Sequence, residues 1–163
     1  GVIPLWLAGT SNGLPAGCRT FLDVTAGSQH GLVGYVRHGV AIPSLEQFEE
    51  IVLMFETSEE IPSADYVMRL FRALGERGIL ERVKGVVVGR AKAREFHLLL
   101  SPEERVAYRK KQQETVAKTV RAYNKDIPIV QNMDFGHTDP QIPMPYGSTI
   151  KIDSTNKKIF AQF

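Results

Sequence analysis

Ile51-Val52-Leu53-Met54-Phe55-Glu56 is a run of five apolar residues closed by a carboxylate. A strand wet on one face alternates apolar and polar side chains. This run does not alternate, so it suits a parallel strand buried on both faces. After Pro62, Ser63 is placed to cap a helix. Val67, Leu70, Phe71 and Leu74 then recur at i, i+3, i+4 and i+7, one face of that helix. Gly78 fits its C-terminal cap. Gly85-Val86-Val87-Val88-Gly89 reads as a second buried strand. Strand, helix, strand is a βαβ unit, for which a right-handed crossover is expected. The fold class is therefore α/β with a parallel βαβ core.

Upstream of this unit, residues 2–8 are apolar, and Gly9, Gly13, Pro15 and Gly17 then bring turn chemistry. Residues 19–26 predict a short helix, and residues 27–43 a glycine-rich loop. Ser44 is expected to cap a short turn containing Glu46 and Gln47. Downstream, residues 102–123 form the most polar stretch. Arg109-Lys110-Lys111 there invites a nucleic-acid reading. Val106, Val116, Val120 and Tyr123 make a partial apolar stripe, however, and Glu103, Glu104 and Glu114 intersperse the charge. A solvated helix face is favoured over a phosphate-binding patch. Residues 127–131 are a third strand candidate. Ile150 and Ile152 alternate with Lys151 and Asp153, a turn follows at 154–157, and Ile159 and Phe160 begin a return strand. This predicts a C-terminal β-hairpin.

Composition bounds the rest. A length of 163 residues suits one domain with a real core. With 43% hydrophobic and 23% charged residues, the chain is not a disordered segment, a collagen-like repeat or a disulfide scaffold. A net charge of +2 singles out no partner class, and no nucleic-acid or membrane partner is expected. The single cysteine, Cys18, allows no internal disulfide. No apolar run approaches the ~20 residues that cross a bilayer, and residues 1–8 lack the basic start of a signal peptide. The chain begins at Gly1, as expected of a processed product or a cut fragment, which keeps a partner domain in view.

The densest polar cluster, Asp134-Phe135-Gly136-His137-Thr138-Asp139-Pro140, follows the third strand candidate. Functional groups in α/β sheets gather at the carboxyl ends of strands, where Glu56 also stands. A carboxylate that accepts from one imidazole nitrogen orients the ring, and the other nitrogen can then take a proton from a nucleophile. The plainer alternative is that Glu56 and His137 satisfy loop backbone groups. Asp134, His137 and Asp139 lack helical metal-ligand spacing, and His30, His38 and His97 form no paired motif, so no metal is expected. The triplet Asp134-Phe135-Gly136 occurs in kinases, yet nothing else of a kinase is present. Gly9-Thr10-Ser11-Asn12-Gly13 matches the G-x-S-x-G elbow. With Glu56 and His137 it would give a self-contained hydrolase, although Gly13, Pro15 and Gly17 make a poor helix start after Ser11.

Several ordered motifs carry a resemblance. Val52-Leu53-Met54-Phe55-Glu56, Val86-Val87-Val88-Gly89-Arg90, Gly136-His137-Thr138-Asp139-Pro140 and Pro145-Tyr146-Gly147 together resemble the C-terminal domain of the LD-carboxypeptidase family. These are serine peptidases that include the microcin C immunity peptidases. Residues 151–157 are similar to the microcin-immunity branch, and the likeness covers nearly all of the chain. The resemblance implies a swivelling β/β/α domain and a Ser-Glu-His triad, with Glu56 and His137 as its catalytic acid and base. It implies that the serine sits in a separate N-terminal domain, in a Gly-x-Ser-Asp type turn. No Ser-Asp dipeptide occurs here. On this reading residues 1–163 are one domain, the acid–base half of an enzyme, inactive alone and needing its own N-terminal serine domain as partner. The family further implies no metal or other cofactor, a cytoplasmic location, and a peptide substrate: murein tetrapeptides cleaved between an L-centre and a D-amino acid, or a peptidyl-adenylate toxin. A homodimer stays open, as does a non-catalytic binding domain in which both residues are vestigial.

Overall fold

The structure is a computed structural model that describes strands Pro4–Gly9 and Leu22–Asp23 and residues 45–57, 61–94, 97–145 and 149–163. In chain order the elements are β1 (Pro4–Gly9), β2 (Leu22–Asp23), a 3-10 turn (Glu46–Glu50), β3 (Ile51–Phe55), α1 (Ala64–Glu76), α2 (Ile79–Arg82), β4 (Gly85–Gly89), α3 (Pro102–Tyr123), β5 (Ile129–Met133), β6 (Ile150–Asp153) and β7 (Lys158–Ala161). One sheet has the order β2-β1-β3-β4-β5, and β6 and β7 form a separate antiparallel pair.

The expected parallel core is present. β4 pairs parallel with β3 on one side, from Val52↔Gly85 to Phe55↔Val88, and with β5 on the other. Every residue of β3 and β4 is buried, which is why neither alternates in polarity. The two faces still differ. Leu53, Phe55, Val86 and Val88 join Val67, Leu70, Phe71 and Leu74 of α1 and Val116 and Val120 of α3 in one cluster. Val52, Met54 and Val87 join Phe135 in a second, against which Met144, Ile150 and Ile152 pack. The period of two thus sorts the strands between a helical layer and the hairpin.

Ser63 caps α1 as expected, its hydroxyl accepting from the Tyr66 N–H at 3.1 Å. Gly78, at φ +74°, lies one residue beyond the C-cap Arg77 and takes the left-handed turn that ends the helix. The polar stretch at 102–123 is helical throughout, opened by a reciprocal capping box between Ser101 and Glu104. Val116 and Val120 are buried, whereas Val106 is exposed, so the stripe is shorter than its sequence suggested.

Four expectations are corrected or fall outside the described residues. Leu22–Asp23, inside the expected short helix at 19–26, is instead a strand paired with Pro4 and Leu5. A two-residue pairing is set by its partner strand, and local propensity does not announce it. The third strand begins two residues later than expected. The Ile127 N–H goes to the Asn124 side chain at 3.3 Å, and Pro128 has no N–H to give. The strand also runs on through Asn132, at φ +65°, where the ladder with β4 shifts register. The 3-10 turn has Leu45 at its N-cap with no side-chain bond, and Ser44 lies outside the described residues. The loop at 27–43 lies outside them too.

Candidate active site

Two parallel strands end side by side at β3 and β4, and the chain leaving β5 folds back over them. Glu56 directly follows β3 and is 4% exposed. Its Oε2 accepts from the His137 backbone N–H at 2.7 Å and lies 2.8 Å from His137 Nδ1. A buried carboxylate in that position requires Nδ1 as the donor, which leaves base chemistry to Nε2. The Glu56 side chain is 5% exposed and that of His137 40% exposed, so the acid lies behind a ring that reaches the surface. The contact expected from the two strand ends is therefore made.

Two glycines make this approach possible. Gly136 has φ +86°, and a Cβ there would stand 1.9 Å from Glu56 Oε2. A Cβ on Gly89 would stand 2.6 Å from the Phe135 carbonyl oxygen and 3.3 Å from Glu56 Cβ. Both positions lack a side chain because backbone or carboxylate already fills that space. Phe135, 5% exposed, roots the loop in the cluster on the hairpin side of the sheet.

A model of the LD-carboxypeptidase C-terminal domain matches residues 14–152. The chain belongs to this family. No curated protein matches it.

In this LD-carboxypeptidase domain the histidine loop is held from beneath by Arg90, to which the sequence reading gave no role. Arg90 directly follows β4, as Glu56 directly follows β3. Its backbone N–H donates to the Met133 carbonyl at 2.7 Å. Its Nε donates to Thr138 Oγ1 at 2.9 Å, and one terminal nitrogen reaches the Asp139 carbonyl at 2.9 Å and Asp134 Oδ1 at 2.7 Å. One guanidinium thus grips the loop on both sides of His137, using the fork geometry that suits arginine. The Ile142 N–H closes the loop onto the Asp134 carbonyl at 2.6 Å, and the Gln141 side-chain amide donates to the Gly136 carbonyl. The Asp139–Pro140 peptide bond is cis.

Among the described residues, no three His, Cys, Asp or Glu side chains converge as a metal site. Asp134 is committed to Arg90, and His137 Nδ1 to Glu56. No helix among the described residues is long and apolar enough to cross a membrane. Ser11, His30 and His38 lie outside the described residues, as do Tyr146 and Gly147 of the last family motif. His97 is described and exposed.

Proposed function

We propose that this domain is the acid–base half of a serine LD-carboxypeptidase, with Glu56 and His137 completing a Ser-Glu-His triad. The observation that carries the reading is the 2.8 Å contact between a buried Glu56 Oε2 and Nδ1 of a partly exposed His137. A base must be oriented from behind, and the buried Glu56 carboxylate lying behind a partly exposed His137 ring supports that role. In the proposed reaction His137 Nε2 removes the proton from a serine hydroxyl supplied by an N-terminal domain. Glu56 stabilises the imidazolium so formed. The same nitrogen then returns the proton to the departing amine, while an oxyanion site on the serine domain holds the tetrahedral intermediate. The substrate class is an amide between an L-centre and a D-amino acid in a cytoplasmic murein tetrapeptide, or a peptidyl-adenylate. The domain is of the swivelling β/β/α type.

The test uses full-length protein with its serine domain and a murein tetrapeptide as substrate. His137→Ala should lower kcat by about 10⁶, as loss of a triad base does in serine proteases. Glu56→Gln should lower it by about 10⁴, through loss of the tautomer and charge it imposes. The 163-residue chain alone should show no turnover. Wild-type activity in His137→Ala would overturn the proposal in favour of a non-catalytic binding domain.

A further inference from the structure

We infer that a single internal water molecule is part of this fold, bound between the end of β3, α3 and β5 by Thr57, Gln112 and Gln131. Three buried side-chain oxygens have no protein hydrogen-bond partner among the described residues: Thr57 Oγ1, Gln112 Oε1 and Gln131 Oε1. All three residues line the same small cavity of about 10 Å³. Thr57 and Gln112 are 5% and 4% exposed. A buried polar oxygen left without a partner is costly, so three around one cavity call for a ligand.

The amide orientations are fixed, because each nitrogen is already spent on a carbonyl. Gln112 Nε2 donates to the Pro62 carbonyl at 2.7 Å, and Gln131 Nε2 donates to the Gln113 carbonyl at 3.1 Å. Both Oε1 atoms are therefore acceptors, and a flip would place oxygen against oxygen. The nearby Tyr108 hydroxyl donates to the Pro62 carbonyl at 3.0 Å; the Thr57 and Gln112 side chains also interact with it, more loosely, and this leaves Thr57 Oγ1 and Gln112 Oε1 without a hydrogen bond of normal geometry. A water that donates one proton to each glutamine oxygen and accepts from the Thr57 hydroxyl satisfies all three groups at once. The volume holds about one water and nothing larger. A metal cation is disfavoured, because these three side-chain oxygens are neutral and Arg90 and Arg109 line the same cavity.

This water joins the residue after Glu56 to the middle of α3 and to β5, which leads into the histidine loop. The inference holds whatever chemistry the pair performs. Crystals of the protein grown in sodium and in rubidium salts provide the test. The expected result is one density peak at ~2.8 Å from each of the three oxygens, with no anomalous signal in rubidium. Absence of a peak, or rubidium scattering at that point, overturns the inference. In solution, cross-relaxation from a long-lived water to the Gln112 side-chain amide should be present and should vanish in Gln131→Met. A signal unchanged in that variant overturns the inference equally. Should Gln131→Met fail to fold, Thr57→Val, which removes the third partner at constant shape, should at least halve the signal, and an undiminished one counts against the water.

Discussion

The placement of His137 depends on what its neighbours lack. Gly136 combines a positive φ with a Cβ position 1.9 Å from the carboxylate, so Gly136→Ala meets backbone strain and collision together. The strain alone is worth about 1–3 kcal/mol. The variant should unfold at lower urea, and the His137 amide, now bonded to Glu56, should lose its protection in hydrogen exchange. Wild-type protection would show that the loop accommodates a side chain there. Arg90 works by presence. Arg90→Ala removes bonds to Thr138, the Asp139 carbonyl and Asp134, and Arg90→Lys cannot restore them, because an ammonium has no fork. In the proposed reaction both variants should therefore lower kcat of the full-length protein, with KM less affected. Full rescue by lysine would contradict a positioning role. The meeting of Glu56 and His137 was legible in the sequence because each follows a strand candidate of one sheet. Arg90 was not, since an arginine after a strand reads as solvated charge until the loop that it grips is seen.

At the scale of elements, legibility followed the local signals. The bounds of β4 were readable from its flanking glycines, and the extent of α3 from the polar stretch at 102–123, although the capping box of Ser101 and Glu104 that opens it was not used. The antiparallel attachment of β1 and β2 was not, because strand order is decided by partners distant in sequence. The packing of α3 on α1 has its own signature in Gly75, where a Cβ would lie 2.4 Å from the Tyr123 ring. Gly75→Ala gains helix propensity but overpacks that crossing, so thermal melts should show a net loss of about 1–3 kcal/mol. Tyr108 marks the other end of the same helix. Burial pushes its hydroxyl up to about 12, from 10.0, as the group donates to the Pro62 carbonyl. A folded pKa raised above the unfolded one favours folding while the phenol stays protonated. That contribution is complete below about pH 10 and is lost as pH rises towards 12. Tyr108→Phe should flatten the alkaline fall in stability across this window. An identical fall in both proteins would assign it to other groups.

For the molecule as a whole, the decisive feature is that Glu56 and His137 stand 81 positions apart and meet only when β3, β4 and β5 lie in register. The site is therefore a readout of the assembled sheet. The helical layer covers one face. The other depends on β6 and β7, whose Ile150 and Ile152 pack on the cluster of Val52, Met54, Val87 and Phe135. Phe135 is two residues from His137, so the hairpin supports the histidine loop from a distance in sequence. Ile152 also sits tightly over the strand that bears Gly85, whose Cβ would be 3.0 Å from Ile152 Cδ1. Ile152→Ala should thus remove apolar contact from that face alone. Because Ile152 is only partly buried, the cost should fall near the lower end of the usual range, about 2 kcal/mol. The helical circular dichroism should stay unchanged, since α1, α2 and α3 pack on the opposite face. The His137 amide should exchange faster, because the loop loses footing under Phe135. If the variant is destabilised while that amide keeps its protection, the hairpin braces the sheet without bracing the site.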